Sequence, residues 1–144
     1  MNSSAPLLAD LIVAAHRLTR IAARSTGNTT PSAVWNTLSI LSTDGPLRIG
    51  ELASAARVTQ PSMTKVVHQL VDEGLVERVA DADDSRAWLV TVTAAGLRAL
   101  DDWRNALTAA LEPMFSGLTA ADLAALARAV DILTARTATG RAAA

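Results

Sequence analysis

Between Thr59 and His68 the chain sets out the polar side chains of Gln60, Ser62, Thr64, Lys65 and His68, with Pro61 among them to shape the turn or touch a thymine methyl. Their amide, hydroxyl, ammonium and imidazole groups are of the kind that contact phosphates and base edges. At helical spacing each residue turns by about 100° from the last, which puts Pro61, Lys65 and His68 in line, flanked by Ser62, Thr64 and Gln69. Met63, Val66, Val67, Leu70 and Val71 fall on the opposite face. Such a helix suits the floor of a DNA major groove. It also suits an ordinary solvated surface, so the flanking sequence has to decide. Further on, Arg86 closes a run of turn-forming residues, Ala80-Asp81-Ala82-Asp83-Asp84-Ser85-Arg86. A guanidinium on a projecting loop can enter a narrow A·T-rich minor groove, where negative potential is concentrated.

The elements that must position these residues are legible on both sides. Thr59 can cap the polar helix, and Pro61 in its first turn loses no helical hydrogen bond. Val58 and Met63 have the spacing of a hydrophobic staple. Upstream, Ile49 to Ala56 makes a short helix, and Arg57-Val58 leaves only a tight turn before Thr59. Two helices joined so closely must cross steeply, as in a helix-turn-helix. Downstream, Gly74 is a left-handed helix stop. Leu75 to Val79 and Ala87 to Val92 then read as strands joined by the acidic loop, and Trp88 is expected to share a strand face with Val90 and Val92, packed against the helices. Helix, turn, helix and β-ribbon together make a winged helix-turn-helix.

These residues resemble the MarR family of bacterial transcriptional regulators. The resemblance rests on Gly50-Glu51-Leu52-Ala53, the Thr59 to Leu70 helix, Glu73-Gly74-Leu75-Val76-Glu77-Arg78, Asp84-Ser85-Arg86-Ala87 and Val92-Thr93-Ala94-Ala95-Gly96. It spans roughly residues 7 to 138, since the flanking helices match in number and order. What it implies is an obligate homodimer on palindromic double-stranded DNA, often responsive to small ligands or oxidants. It further implies that Asp84 pairs with the Arg86 guanidinium at the wing tip, and that small aromatic anions bind between the dimer helices and the DNA-binding lobe. Here His16, Arg20, Trp35 and Trp103 are the material for such a pocket, although they form no motif, and a core role suits each tryptophan better.

Composition bounds the alternatives. The 144 residues make one domain's worth, half of them hydrophobic and few of them aromatic. Cysteine is absent, which closes disulfide, thiolate and thiol-redox chemistry. With only His16 and His68 there is no metal-ligand spacing, and no nucleophile elbow, phosphate loop or dinucleotide fingerprint appears, so neither cofactor nor enzyme is expected. No apolar run is long enough to cross a membrane, and the first residues lack the basic start of a secretory signal; a cytoplasmic location is expected. Charge pulls the other way from the motif. Net charge is −1, and Leu47 to Val92 carries Arg48, Arg57, Lys65, Arg78 and Arg86 against Glu51, Asp72, Glu73, Glu77, Asp81, Asp83 and Asp84. DNA binding then requires Lys65, Arg86 and some of the other cations to be segregated on one face.

The rest of the chain reads as helices. Pro6 to Arg24 is apolar on two adjoining stripes, Leu8-Ile12-Ala15-Ala22 and Leu7-Leu11-Leu18-Ile21, and so needs more than one neighbour. Thr30-Pro31 opens a second helix that turns Val34, Trp35, Leu38 and Leu41 inward. Thr93 caps a long helix through Leu97, Leu100, Trp103, Leu107 and Leu111, which Pro113 ends or kinks, and Leu118-Thr119-Ala120-Ala121-Asp122 starts the last. The fold class is mostly α with a small β-wing. A winged lobe over residues 30–93 is flanked by helical dimerisation segments at 6–25 and 93–136, with a loose tail at 137–144. A second copy is the simplest cover for so much apolar helix. The functional expectation is a regulator, in this family most often a repressor, with Gln60, Pro61, Ser62, Thr64, Lys65, His68, Arg78, Asp84 and Arg86 on the DNA. A winged-helix protein–protein adaptor without DNA binding is the alternative.

Overall fold

The computed structural model describes residues 4–139, which divide into two compact units at the boundary between Ala110 and Leu111. In the first unit the elements run α1 (Ser4–Ser25), α2 (Ser32–Asp44), β1 (Leu47–Arg48), α3 (Ile49–Ala56), α4 (Gln60–Asp72), β2 (Val76–Ala80), β3 (Trp88–Val92) and α5 (Ala94–Leu111). The sheet is antiparallel in the order β1-β3-β2, with Val76 opposite Val92 and Ala80 opposite Trp88. Strand β1 is too short to register as a strand pattern; it exists because Leu47 and Arg48 pair with Val90 and Leu89.

One core joins α2, α3, α4, the sheet and α5: Val34, Leu38, Leu41, Leu52, Met63, Val67, Leu70, Val76, Val90 and Leu100 are all buried. Thr37, fully enclosed among them, donates its hydroxyl to the Ala33 carbonyl at 2.7 Å and lies 3.8 Å from the Met63 sulfur. That back-bond is how a polar group sits in an apolar core without an unmet hydrogen bond.

Helix α4 ends as its sequence requires. Gly74 adopts φ +72, Leu75 N–H reaches the Leu70 carbonyl at 2.9 Å and Gly74 N–H the Val71 carbonyl at 3.0 Å, a double closure that satisfies the last carbonyls. The start of α2 differs from expectation. Pro31, not Thr30, holds the cap position, so the helix starts without a side-chain capping bond; Thr30 lies in the preceding turn, its N–H donating to the Asn28 side chain at 2.8 Å.

The sheet is fastened to α5 by Thr93. Its hydroxyl donates to the Gly74 carbonyl at 2.7 Å and accepts from Gly96 N–H at 3.1 Å, while Thr93 N–H donates to the Leu75 carbonyl. Gly96 is buried against that same carbonyl, and a Cβ there would collide with it and stand 2.7 Å from Val92 Cγ2. Thr93 and Gly96 therefore act together.

In the second unit α5 gives way to a 3-10 turn, Glu112–Phe115, around Pro113, and α6 (Ala120–Thr139) follows. Thr119 and Asp122 cap α6 reciprocally: Asp122 accepts from the Thr119 N–H and hydroxyl, and Thr119 Oγ1 accepts from Asp122 N–H. These bonds hold the Asp122 carboxyl below its ordinary range. The helix carries through residues expected to be tail, 137–139, while 140–144 lie outside the described residues. No described helix is long and apolar enough to cross a membrane.

Candidate nucleic-acid interface

The turn between α3 and α4 depends on one unusual backbone. Arg57 sits in the left-handed region at φ 57, ψ 42, a conformation usually left to glycine or asparagine. Its N–H reaches Ser54 and that of Val58 reaches Ala53, so α3 closes and the chain reverses within two residues. Thr59 then caps α4, its hydroxyl oxygen accepting from Ser62 N–H at 3.3 Å.

From this start, Gln60, Pro61, Ser62, Lys65 and His68 are exposed and Thr64 half-buried, while Met63, Val67 and Leu70 are sunk in the core. Local bonds give the two hydroxyls opposite characters. Ser62 Oγ accepts from Thr59 and keeps its proton to donate outward. Thr64 spends its proton on the Gln60 carbonyl at 2.9 Å and faces outward as an acceptor. Gln60 is exposed at the start of the helix, and its amide oxygen lies near Gly50 of α3.

The wing loop is built by its own aspartates. Asp81 Oδ1 accepts from Asp83 N–H and Asp84 Oδ1 from Arg86 N–H, each at 3.0 Å, and Asp81 N–H closes the loop onto the Ala87 carbonyl. The resemblance implied a side-chain pair between Asp84 and Arg86. Instead, Asp84 orients the backbone of Arg86, and the exposed Arg86 guanidinium makes no ion pair with a described residue.

The ion pair at the wing is a different one. Arg48 Nε and Nη2 both donate to Asp81 Oδ2, at 3.0 and 2.7 Å, tying the start of α3 to the root of the wing. The Asp83 N–H and this guanidinium hold the Asp81 carboxyl below its ordinary range. Arg48 is thereby committed, leaving Arg57, Lys65, Arg78 and Arg86 as the exposed cations of the motif. Nothing in the local pattern pairs residues so far apart; the surplus of aspartate at 81–84 was the only hint.

Beside the pair, an open cleft of about 600 Å³ separates the sheet from the N-terminal ends of α3 and α4. Arg48, Gly50, Gln60, Arg78 and Trp88 line it. Trp88, expected to pack against the helices, is 60% exposed: it shares its strand face with buried Val90, but lies at the strand's far end, at the cleft.

Trp35 and Trp103 stack on each other, ring centroids 4.9 Å apart and nearly parallel at 7°, each partly buried beside the core. His16 and Arg20 are exposed on α1.

The MarR family model matches residues 32–88. An uncharacterized HTH-type transcriptional regulator of Mycobacterium bovis, Mb0904, is 31% identical over 94% of this chain and 95% of its own length. The HTH-type transcriptional repressor IacR of Pseudomonas putida is 27% identical over 69% of this chain and 59% of its own. A MarR family protein from Bacillus stearothermophilus, 19% identical, superposes with a TM-score of 0.71 over 93% of this chain and 94% of that one, a likeness of fold alone.

Proposed function

The chain belongs to the MarR family of winged-helix transcriptional regulators, and from that premise we propose that it binds a palindromic operator as a homodimer and represses transcription in the cytoplasm. The observation that carries the reading is the pairing of two exposed polar features on one core: the outer face of α4 and the wing tip with its uncommitted Arg86. Ser62, Thr64, Lys65 and His68 read or clamp the major groove, and Arg86 enters the adjacent minor groove. Repression follows the IacR comparison, a relative so named. A small aromatic effector would enter near Trp35 and Trp103 by displacing or prying apart their stack.

The second copy is supported by the helices. Leu7, Leu8, Ile12, Val13 and Leu18 stand exposed on α1, and Leu123, Leu126, Val130, Ile132 and Leu133 on α6. Isolated apolar side chains need no explanation, but whole helical faces of them mark an interface.

One observation favours the protein–protein adaptor: anions outnumber cations in the motif, and the Arg48 charge is neutralised by Asp81. Selection of bound duplexes from a random pool, followed by gel shift across a salt series, separates the two. The regulator enriches an inverted repeat and loses affinity steeply with salt, by close to one unit of log–log slope per phosphate neutralised. The adaptor enriches nothing and shifts no duplex even at low salt.

A further inference from the structure

We infer that the cleft between the wing and the N-terminus of α4 seats the sugar-phosphate strand that divides the two grooves, with Trp88 packed on deoxyribose and Arg78 on phosphate. This rests on the DNA-binding reading. If α4 lies in a major groove while Arg86 of the wing lies in the neighbouring minor groove, one backbone strand must cross the surface between them. That surface is the cleft, since Gln60 begins α4 and Trp88 begins the strand that leaves the wing.

The chemistry of the lining fits this occupant. Trp88 is 60% exposed, whereas the other two tryptophans cover each other in a stack. An indole left open at the rim of a cleft is a large apolar surface with nothing described over it, and the face of a deoxyribose is the apolar part of a DNA backbone. Arg78, opposite Val90 in the sheet, is exposed on the same cleft and makes no ion pair with a described residue. The other lining charges are engaged: Arg48 with Asp81, and Glu51 with the Arg48 N–H at 3.0 Å. The cleft therefore offers one uncommitted positive charge beside one bare aromatic ring. Contacts of this kind carry no sequence information; they hold the duplex in register and add affinity to every sequence alike.

The test uses the full-length protein and a duplex selected by it, with binding followed by gel shift and tryptophan exposure by acrylamide, a neutral quencher that the charge of DNA does not repel. In the wild type, DNA should shield a fraction of the emission, and that fraction should vanish in Trp88→Phe, which conserves an aromatic ring and keeps binding within a few-fold. Trp88→Ser should weaken cognate and unrelated duplexes equally, by about tenfold, the order expected when an aromatic anchor is removed, with an unchanged salt slope. Arg78→Ala should instead lower the slope by about one unit. A shifted complex in which Trp88 is quenched as freely as before, or wild-type affinity in Trp88→Ser, overturns the inference while leaving DNA binding intact. Shielding that follows protein concentration without DNA assigns the face to a second copy and also overturns it. Absence of any shifted complex removes the DNA-binding reading and this inference together.

Discussion

Arg86 and Arg57 show two ways in which a single residue can be bound to function. Arg86 is presented: Asp84 takes its N–H, the loop projects it, and no described side chain claims its charge. Arg86→Ala should therefore weaken operator binding by roughly 1–3 kcal/mol with unchanged thermal unfolding, since an exposed loop side chain leaves no cavity. Equal affinity in a binding titration would remove the wing from the interface. Arg57 is strained: a left-handed conformation costs a residue with a Cβ about 1–2 kcal/mol, whereas glycine adopts it freely. Arg57→Gly should accordingly raise stability toward denaturant by about 1 kcal/mol, partly offset by the greater freedom of glycine in the unfolded chain. Persistence of arginine at such a position is explained if its exposed guanidinium contacts phosphate, in which case the same variant binds DNA more weakly. A variant that is no more stable would show that the turn does not store strain.

Among the elements, the junction of sheet and α5 is the most tightly specified. Gly96 has no room for a methyl group beside the Leu75 carbonyl and Val92. Gly96→Ala should cost about 1–3 kcal/mol through forced overpacking, while Gly117→Ala, with open space around it, should be neutral or stabilising by a few tenths. Denaturant midpoints for the pair decide it, and equal midpoints would contradict the close packing seen here. The same junction shows what was legible in advance. Caps at Thr59, Thr93 and Thr119, the Gly74 stop and the buried face of α4 involve residues within a few positions of one another, so their signals survive in the one-dimensional pattern. Strand β1 and the Arg48–Asp81 pair depend on residues brought together only by folding. The exposure of Trp88 escapes the pattern for a related reason. Strand alternation assigns the face correctly, but at the Trp88 end of β3 that face opens onto the cleft, which leaves the indole exposed.

At the scale of the whole molecule, an acidic chain can meet a polyanion only if its cations are segregated. The Arg48–Asp81 pair cancels one cation against one wing carboxylate, while Lys65, Arg57, Arg78 and Arg86 remain exposed. Whole-chain composition also limits regulation. With no cysteine, the thiolate-to-sulfenate route is closed. Met63, buried in the core, is shielded from oxidants, and only Met114 among the described methionines is exposed. Peroxide at doses that release a cysteine-based regulator should leave the operator complex intact; release that dithiothreitol fully reverses would contradict this.

In the proposed complex, two copies of this chain place their α4 helices in successive major grooves of one duplex. Hydroxyl-radical footprinting on a duplex selected by the protein tests it most directly. Two protected half-sites related by an inverted repeat are expected, with centres about 34 Å, one helical turn, apart and flanking minor-groove protection that disappears with Arg86→Ala. A single unpaired protected site would contradict the dimeric arrangement, and no protection at low salt would contradict DNA binding itself.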